Sequence, residues 1–259
     1  LIIYEPGLKQ KGLLISSSTR RPGITTNIDL VPTILEHLKV SSPVFLWGAP
    51  LKVVPTANHL LKMSQLSERT ALIYSQRPRI VKAYITYQII ALLVGLVMVL
   101  FRLKFVQKIR FAYYFLLYLP PAILLAPAFS FFPSPSFLKN TLLIIVLAAL
   151  LTLIAARLFK ETLTFFAFTG LFIFSLLLLD LLHGAALNSR SFLGYDPLGG
   201  ARFYGMGNEY MGILIGSLIL GFGSLCSLLL RKFPQPEQKE GTPPPFLLKV
   251  IRANRLSLL

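Results

Sequence analysis

The chain has 259 residues, 54% hydrophobic and only 14% charged, with a mean hydropathy of +0.68 and 26 basic residues against 10 acidic ones. A soluble domain carries about a quarter charged residues, so this composition excludes an ordinary soluble enzyme as the whole of the protein and points to the membrane. The positive excess does not make it a nucleic-acid binder, because the cations sit mainly between apolar stretches, where cytoplasmic loops concentrate Lys and Arg.

Residues 1–75 are mixed and globular in character. GLLISSSTRRPG (12–23) reads as a short strand running into a polar turn. NIDLVPTILEHLKV (27–40) reads as a helix: Asn27 or Asp29 can cap it, Pro32 falls in its first turn, and Leu30, Ile34, Leu35 and Leu38 make an apolar face. A piece this small cannot bury a proper core alone. The chain opens on Leu1 without a signal-peptide pattern, and a longer parent protein is expected.

Five apolar segments follow, at 84–101, 111–131, 138–156, 163–182 and 210–230. Each is near the roughly 20 residues that cross a bilayer as helix. The second contains LPPAILLAP, whose paired prolines are expected to kink it or split it into a helix and a re-entrant piece. Residues 231–246 form a polar, Pro-rich linker, and the basic, apolar stretch after it suits a surface helix or the start of a further span. The organisation expected is therefore a globular piece (1–75), a helical transmembrane bundle (76–230) with an outer loop at 183–209, and a cytoplasmic linker region (231–259). The fold class is mainly α, a polytopic helical bundle preceded by a small α/β fragment. Cys226, inside an apolar run, has no disulfide partner and no metal-ligand spacing.

Cation content sets the direction. Arg102, Lys104, Lys108 and Arg110, then Arg157 and Lys160, then Arg231 and Lys232 mark three connections as cytoplasmic. Five spans then put both the globular piece and the 183–209 loop outside. Arg77, Arg79 and Lys82 run against this bias, on the side expected to be outer.

The stretch GYDPLGGARFYGMGNEYMG (194–212) carries the densest chemistry. Asp180 and His183, three apart, share a helix face at the end of the fourth segment, and Arg190, Asp196, Arg202, Asn208 and Glu209 follow. Ionisable groups at membrane depth are costly unless paired or hydrated, which marks them as site candidates. Two readings stand. In one, glycine-rich backbone and two guanidiniums receive a phosphate or carboxylate. In the other, Asn208 or Glu209 caps the fifth segment and the arginines pair with local acids. The stretch 194–212 is expected to fold back on the outer face of the bundle as a polar pocket floor, with Arg202 near the end of the fourth or fifth helix and Asp196, Asp180, Glu209 or an open cavity within reach. One His and two scattered acids do not make a metal site. GMGNEYMG is not a dinucleotide fingerprint, since no strand precedes it. Gly212-x-x-x-Gly216 is expected to let the fifth span pack closely on a neighbour.

Ser18–Val40, STRRPGITTNIDLVPTILEHLKV, resembles the C-terminal part of alkaline-phosphatase-like hydrolase domains, the superfamily of phosphatases, sulfatases and phosphoglycerate mutases. The matching residues are Thr26, Asp29, Leu30, Pro32, Thr33, Ile34 and Leu35. SSPVFLWGAPL (41–51) looks like the strand and tail that close such domains. The resemblance implies an extracytoplasmic hydrolase whose nucleophile and divalent metal ligands lie upstream of Leu1. The superfamily's Asp-His-Gly ligand motif is absent, so no catalytic residue and no cofactor is assigned to this chain. Arg202, Phe203, Tyr204, Gly205, Gly207 and Asn208 are similar to a signature shared by bacterial multi-pass membrane proteins of uncertain function. Together the two resemblances imply a bacterial plasma-membrane protein. They pair a hydrolase-like domain outside with a bundle that sits among lipids and binds an anionic envelope substrate. The alternatives are a transporter or channel-like bundle, or a non-catalytic scaffold.

Overall fold

The computed structural model describes residues 3, 11–41, 45–102, 106–195, 197–199 and 202–231. The linker and the basic segment after it (232–259), Lys104 and Asp196 lie outside the described residues.

The N-terminal piece is a two-stranded antiparallel sheet with one short helix. β1 (Gly12–Ile15) pairs with β2 (Lys52–Pro55), Leu13 opposite Val54 and Leu14 opposite Val53. The strand expected within 41–51 falls just beyond it. The amides of Ala49 and Leu51 donate instead to Asp29 Oδ1 (3.0 Å) and Thr33 Oγ1 (3.0 Å), which withdraws them from a ladder. α1 (Leu30–His37) forms where the sequence expects it. Asp29 is its N-cap residue, yet its side chain does not cap it. The fully buried carboxylate accepts hydrogen bonds from Ser16 Oγ (2.8 Å), Ser18 Oγ (2.6 Å), Thr26 Oγ1 (2.7 Å) and the Thr26 amide (3.2 Å) as well as Ala49. In the Thr-x-x-Asp-Leu-x-Pro-Thr stretch, Asp29 is thus a knot between the β1 turn, α1 and the return to β2.

Burial works to raise the Asp29 pKa, but bonds from Ser18, Thr26, the Ala49 amide and Ser16 outweigh it and hold the group at about 2, below the usual 3.8. A depressed carboxylate contributes stability that is present above the unfolded pKa and lost as pH falls through the folded one. Amide protection of residues 12–34, corrected for the intrinsic pH dependence of exchange, is therefore expected to decline between about pH 4 and pH 2. Asp29→Asn, which sets a donor against donors, is expected to lower that protection at pH 7 by about 2 kcal/mol and to remove the pH step. Equal protection in both proteins at pH 7 refutes this account.

Among the described residues five helices are long and apolar enough to cross a membrane: α2 (His59–Leu100), α3 (Val106–Leu125), α4 (Phe137–Leu158), α5 (Thr162–Leu182) and α6 (Asn208–Leu230). The helical bundle with a small α/β piece, expected from the sequence, is the architecture observed. α2 differs from expectation in its start. Residues 59–83 contain no glycine and many good helix formers, and the helix runs through its internal Pro78 into the apolar run. Its 42 residues reach about 63 Å, some twice the roughly 30 Å hydrocarbon core. The apolar C-terminal half is the span. The N-terminal half stands beyond it, and Gly23 of the N-terminal piece rests against Leu66 and Met63 there.

α3 continues through Pro120 and Pro121 and ends in a 3-10 turn at Ala126–Ala128, so the paired prolines do not split it. Each lacks an amide N–H, so the carbonyls of Leu116 and Leu117 lose their i+4 partners, a local loss that leaves the helix continuous. Tyr118 is fixed beside them by a 2.9 Å bond between its hydroxyl and Thr169 on α5. α5 packs along α6 and α3 along α4. The close contact between α5 and α6 is made by Gly170 and Gly221, and nothing lies within 4 Å of a Cβ placed at Gly212 or Gly216. Nine residues at about 100° each put Gly212 on the opposite face of α6 from Gly221, so the sequence-favoured pair points away from α5.

Gln76 ties α2 to the start of α4, accepting from Asn140 Nδ2 (2.8 Å) and donating to the Ser134 carbonyl (3.0 Å). Arg77 ties α2 to the start of α6. At the opposite end Arg231 meets Glu161 at 2.7 Å. One end of the bundle therefore gathers the N-terminal piece and the 183–207 return, and the other gathers the cation-rich connections.

Candidate functional site

The return from α5 to α6 is built from its first turn. α5 ends in a Schellman arrangement: the Ala185 amide donates to the Asp180 carbonyl (2.7 Å) and the Gly184 amide to the Leu181 carbonyl (3.1 Å), with Gly184 at φ +82°. The Asp180 side chain then accepts the amides of Leu187 (2.8 Å) and Asn188 (2.9 Å). Both carboxylate oxygens are so occupied, and the 3-10 turn Asn188–Arg190 is held over the helix end. His183 shares no bond with Asp180. It is exposed, and its Nδ1 lies 2.8 Å from the Leu179 carbonyl.

Beyond the turn, Phe192, Leu193 and Tyr195 are buried against the bundle, and the chain returns to bury Met206. Gly194 is where the backbone crosses itself: a Cβ there would lie 1.8 Å from the Asn188 carbonyl oxygen. The expected fold-back of this stretch is thus present. Neither Asp180 nor Glu209 meets Arg202, and Asp196 lies outside the described residues. Arg202 is exposed and donates to the Met206 carbonyl, closing its own loop rather than meeting Asp180 or Glu209. Tyr204 receives the Arg20 guanidinium over its ring at 4.4 Å.

Glu209 is claimed by a residue far away in sequence. Its Oε1 lies 2.6 Å from Arg77 Nη2, while Arg77 Nη1 donates to the Gly194 carbonyl at 2.6 Å. The half-buried pair joins α2, the return and the first turn of α6, where a carboxylate also suits the helix dipole. Neither Asn208 nor Glu209 caps α6: the N-cap residue is Gly207, without a side-chain bond, and Asn208 is exposed.

Between the N-terminal piece and the return lies a cavity of about 160 Å³. Arg21 enters it from the turn after β1, Arg69 and Thr70 from α2, and Ser189, Arg190 and Tyr195 from the return. Ile24, Leu66 and Ile73 supply apolar wall. Arg21 lies over the Tyr195 ring at 4.9 Å and donates long bonds to the carbonyls of Gly184 (3.4 Å) and Ala185 (3.5 Å). Among the described residues none of the three arginines has a carboxylate within salt-bridge distance. Burial lowers the Arg21 pKa; Tyr195 opposes this, Arg190 adds to it by repulsion, and Asp180 opposes it. Burial pushes the Tyr195 phenol up. Nearby, both side-chain polar atoms of buried Asn188 lack a partner among the described residues. No three His, Cys, Asp or Glu side chains come together among the described residues.

Of the residues singled out by sequence, the structure brings Arg190 to the cavity, places Asp180 beneath it, and spends Glu209 on Arg77. It leaves His183, Arg202 and Asn208 outside the lining. Arg21, Arg69 and Arg77 were missed. The signal for them was the surplus of cations before the first span, on the side where the topology rule expects few. Comparison with protein-family models, with curated proteins and with solved structures finds no match. The functional reading therefore rests on the geometry of the chain itself.

Proposed function

We propose that this multi-pass membrane protein holds its N-terminal piece and its 183–207 return on the extracytoplasmic face, and there binds an anionic envelope substrate. The observation that carries this reading is the cavity in which Arg21, Arg69 and Arg190 converge from three elements without a carboxylate among the described residues. Guanidinium groups bind carboxylate and phosphate through paired N–H donors and keep their charge at any working pH. The resemblance of Ser18–Val40 to the end of alkaline-phosphatase-like domains supports a hydrolase-like partner domain on the same face, with any divalent metal belonging to residues upstream. The bacterial plasma membrane is the setting that both resemblances favour, and the cation-rich connections at 102–110, 157–160 and 231–232 favour the cytoplasm for the opposite end.

One cysteine tests both the side and the sign. Ser189→Cys, in a Cys226→Ser background, is expected to react in intact cells with membrane-impermeant thiol reagents. The anionic reagent should react several-fold faster than the cationic one, and the preference should shrink with added salt. Labelling only after permeabilisation, or faster labelling by the cationic reagent, overturns the reading.

A further inference from the structure

We infer that the Arg21–Arg69–Arg190 cavity takes a phosphate monoester, the terminal phosphate of a membrane-held molecule or of a soluble one. The inference deepens the reading of the cavity as an anion site and rests on it. Charge balance narrows the class of anion. Three guanidiniums line the space, and among the described residues Asp180 is the carboxylate that acts on Arg21, with both oxygens already taken by the amides of Leu187 and Asn188. Among the described residues the surplus is two positive charges, which a phosphate monoester cancels at neutral pH and a diester or carboxylate cancels only by half.

Shape agrees. The guanidinium donors come from three directions, and the Tyr195 hydroxyl stands among them, while those of Thr70 and Ser189 donate to the carbonyls of Leu66 (2.7 Å) and Ala186 (3.0 Å). A tetrahedral group with three equivalent terminal oxygens matches a three-sided set of donors better than a planar carboxylate does. About 160 Å³ holds a phosphate group with a short stem, but not a nucleotide. The electrostatics leave the site poised for such a guest, since Arg190 repels Arg21 across it. An occupying dianion converts that repulsion into attraction.

Height in the bilayer bears on the source. Arg77 meets the first turn of α6, and Arg69 lies eight residues earlier on α2, about 12 Å along the axis. Arg21 reaches the carbonyls of Gly184 and Ala185, just past the end of α5. The cavity thus begins at the helix ends and rises through the layer where lipid headgroups lie, some 5–8 Å thick on each side of the hydrocarbon core.

The test is the thermal stability of the full chain in neutral detergent, titrated separately with short-chain phosphatidic acid, short-chain phosphatidylglycerol, inorganic phosphate and sulfate. Phosphatidic acid is expected to raise the midpoint at the lowest concentration. Arg190→Gln and Arg69→Gln should each raise the concentration required at least tenfold. Arg190 is exposed, so its replacement leaves the fold intact, and Arg69→Lys, expected to restore part of the response, separates binding from folding. Inorganic phosphate acting as well as phosphatidic acid supports the monoester with a soluble source; a much weaker effect supports a lipid source. An arginine-dependent response to phosphatidylglycerol or sulfate equal to that for phosphatidic acid refutes the monoester while leaving the anion site standing. No response to any of the four, or responses unchanged in both glutamine variants, overturns the anion site as well.

Discussion

Gly170→Leu is expected to separate α5 from α6 and to be the most damaging single substitution in the bundle. A Cβ at Gly170 would lie 2.3 Å from the Gly221 amide nitrogen and 2.5 Å from its Cα, and a Cβ at Gly221 would lie 2.6 Å from the Leu171 amide nitrogen. These obstacles are backbone, which cannot rotate aside, so the helices must move. Between lipid-facing helices there is little hydrophobic drive to hold them together, and close van der Waals packing is the main attraction lost. Overpacking typically costs about 1–3 kcal/mol; at a backbone-to-backbone crossing the upper end is expected for Gly170→Ala and more for Gly170→Leu. The check is the midpoint of unfolding in a denaturing detergent mixture, with Gly216→Leu as control, because nothing lies near that position. A Gly170 variant as stable as the control would mean that the α5–α6 crossing lies elsewhere.

Asp180→Ala is expected to loosen the 183–207 return while leaving α5 and α6 intact. The substitution strips the acceptors from two amides, that of Leu187 and that of the buried Asn188. An orphaned buried donor costs about 1–3 kcal/mol, so the two together amount to roughly 2–6 kcal/mol of local stability. At about 1.4 kcal/mol per tenfold, protease cleavage within 187–204 of the reconstituted protein should rise by tenfold or more. Asp180→Asn keeps one acceptor and should fall between. Because the Asn188–Arg190 turn is what carries Arg190 to the cavity, the same substitution should also weaken phosphate binding. Cleavage at the wild-type rate in Asp180→Ala would show that the turn is held by its own backbone bonds.

The two substitutions separate what was legible in the sequence from what was not. Asp180 is conspicuous as a lone acid ending an apolar run, and sequence reasoning marked it. His183, three residues on, does no comparable work: its exposed ring lies on the Leu179 carbonyl, while Asp180 is taken by the amides of Leu187 and Asn188. Asp29 likewise stands out as the acid of a helix-start pattern, but its five donors come from four places in the N-terminal piece, which no local pattern announces. Arg202 was the best candidate by its glycine-rich surroundings, yet it closes its own loop. Arg69 is marked only by the surplus of cations before the first span, not by a motif of its own.

The sequence by itself determined the five apolar helices and their alternation from end to end. That is because hydropathy over some 20 residues is a local sum, and a chain crossing lipid must satisfy its backbone within each helix. Only the tertiary structure decided which faces meet. In a bilayer both the packed and the lipid-facing sides of a helix are apolar, so the periodicity that orients a soluble helix is faint. Gly170 therefore gives no hint in the sequence that it meets Gly221, and Gly212-x-x-x-Gly216 misleads. The polar partners follow the same logic: Arg77 finds Glu209 132 residues away because α6 begins beside the middle of α2. Arg21, Arg69 and Arg190 share one cavity because a short sheet, a helix overshooting the membrane and a turn held by Asp180 bring them there.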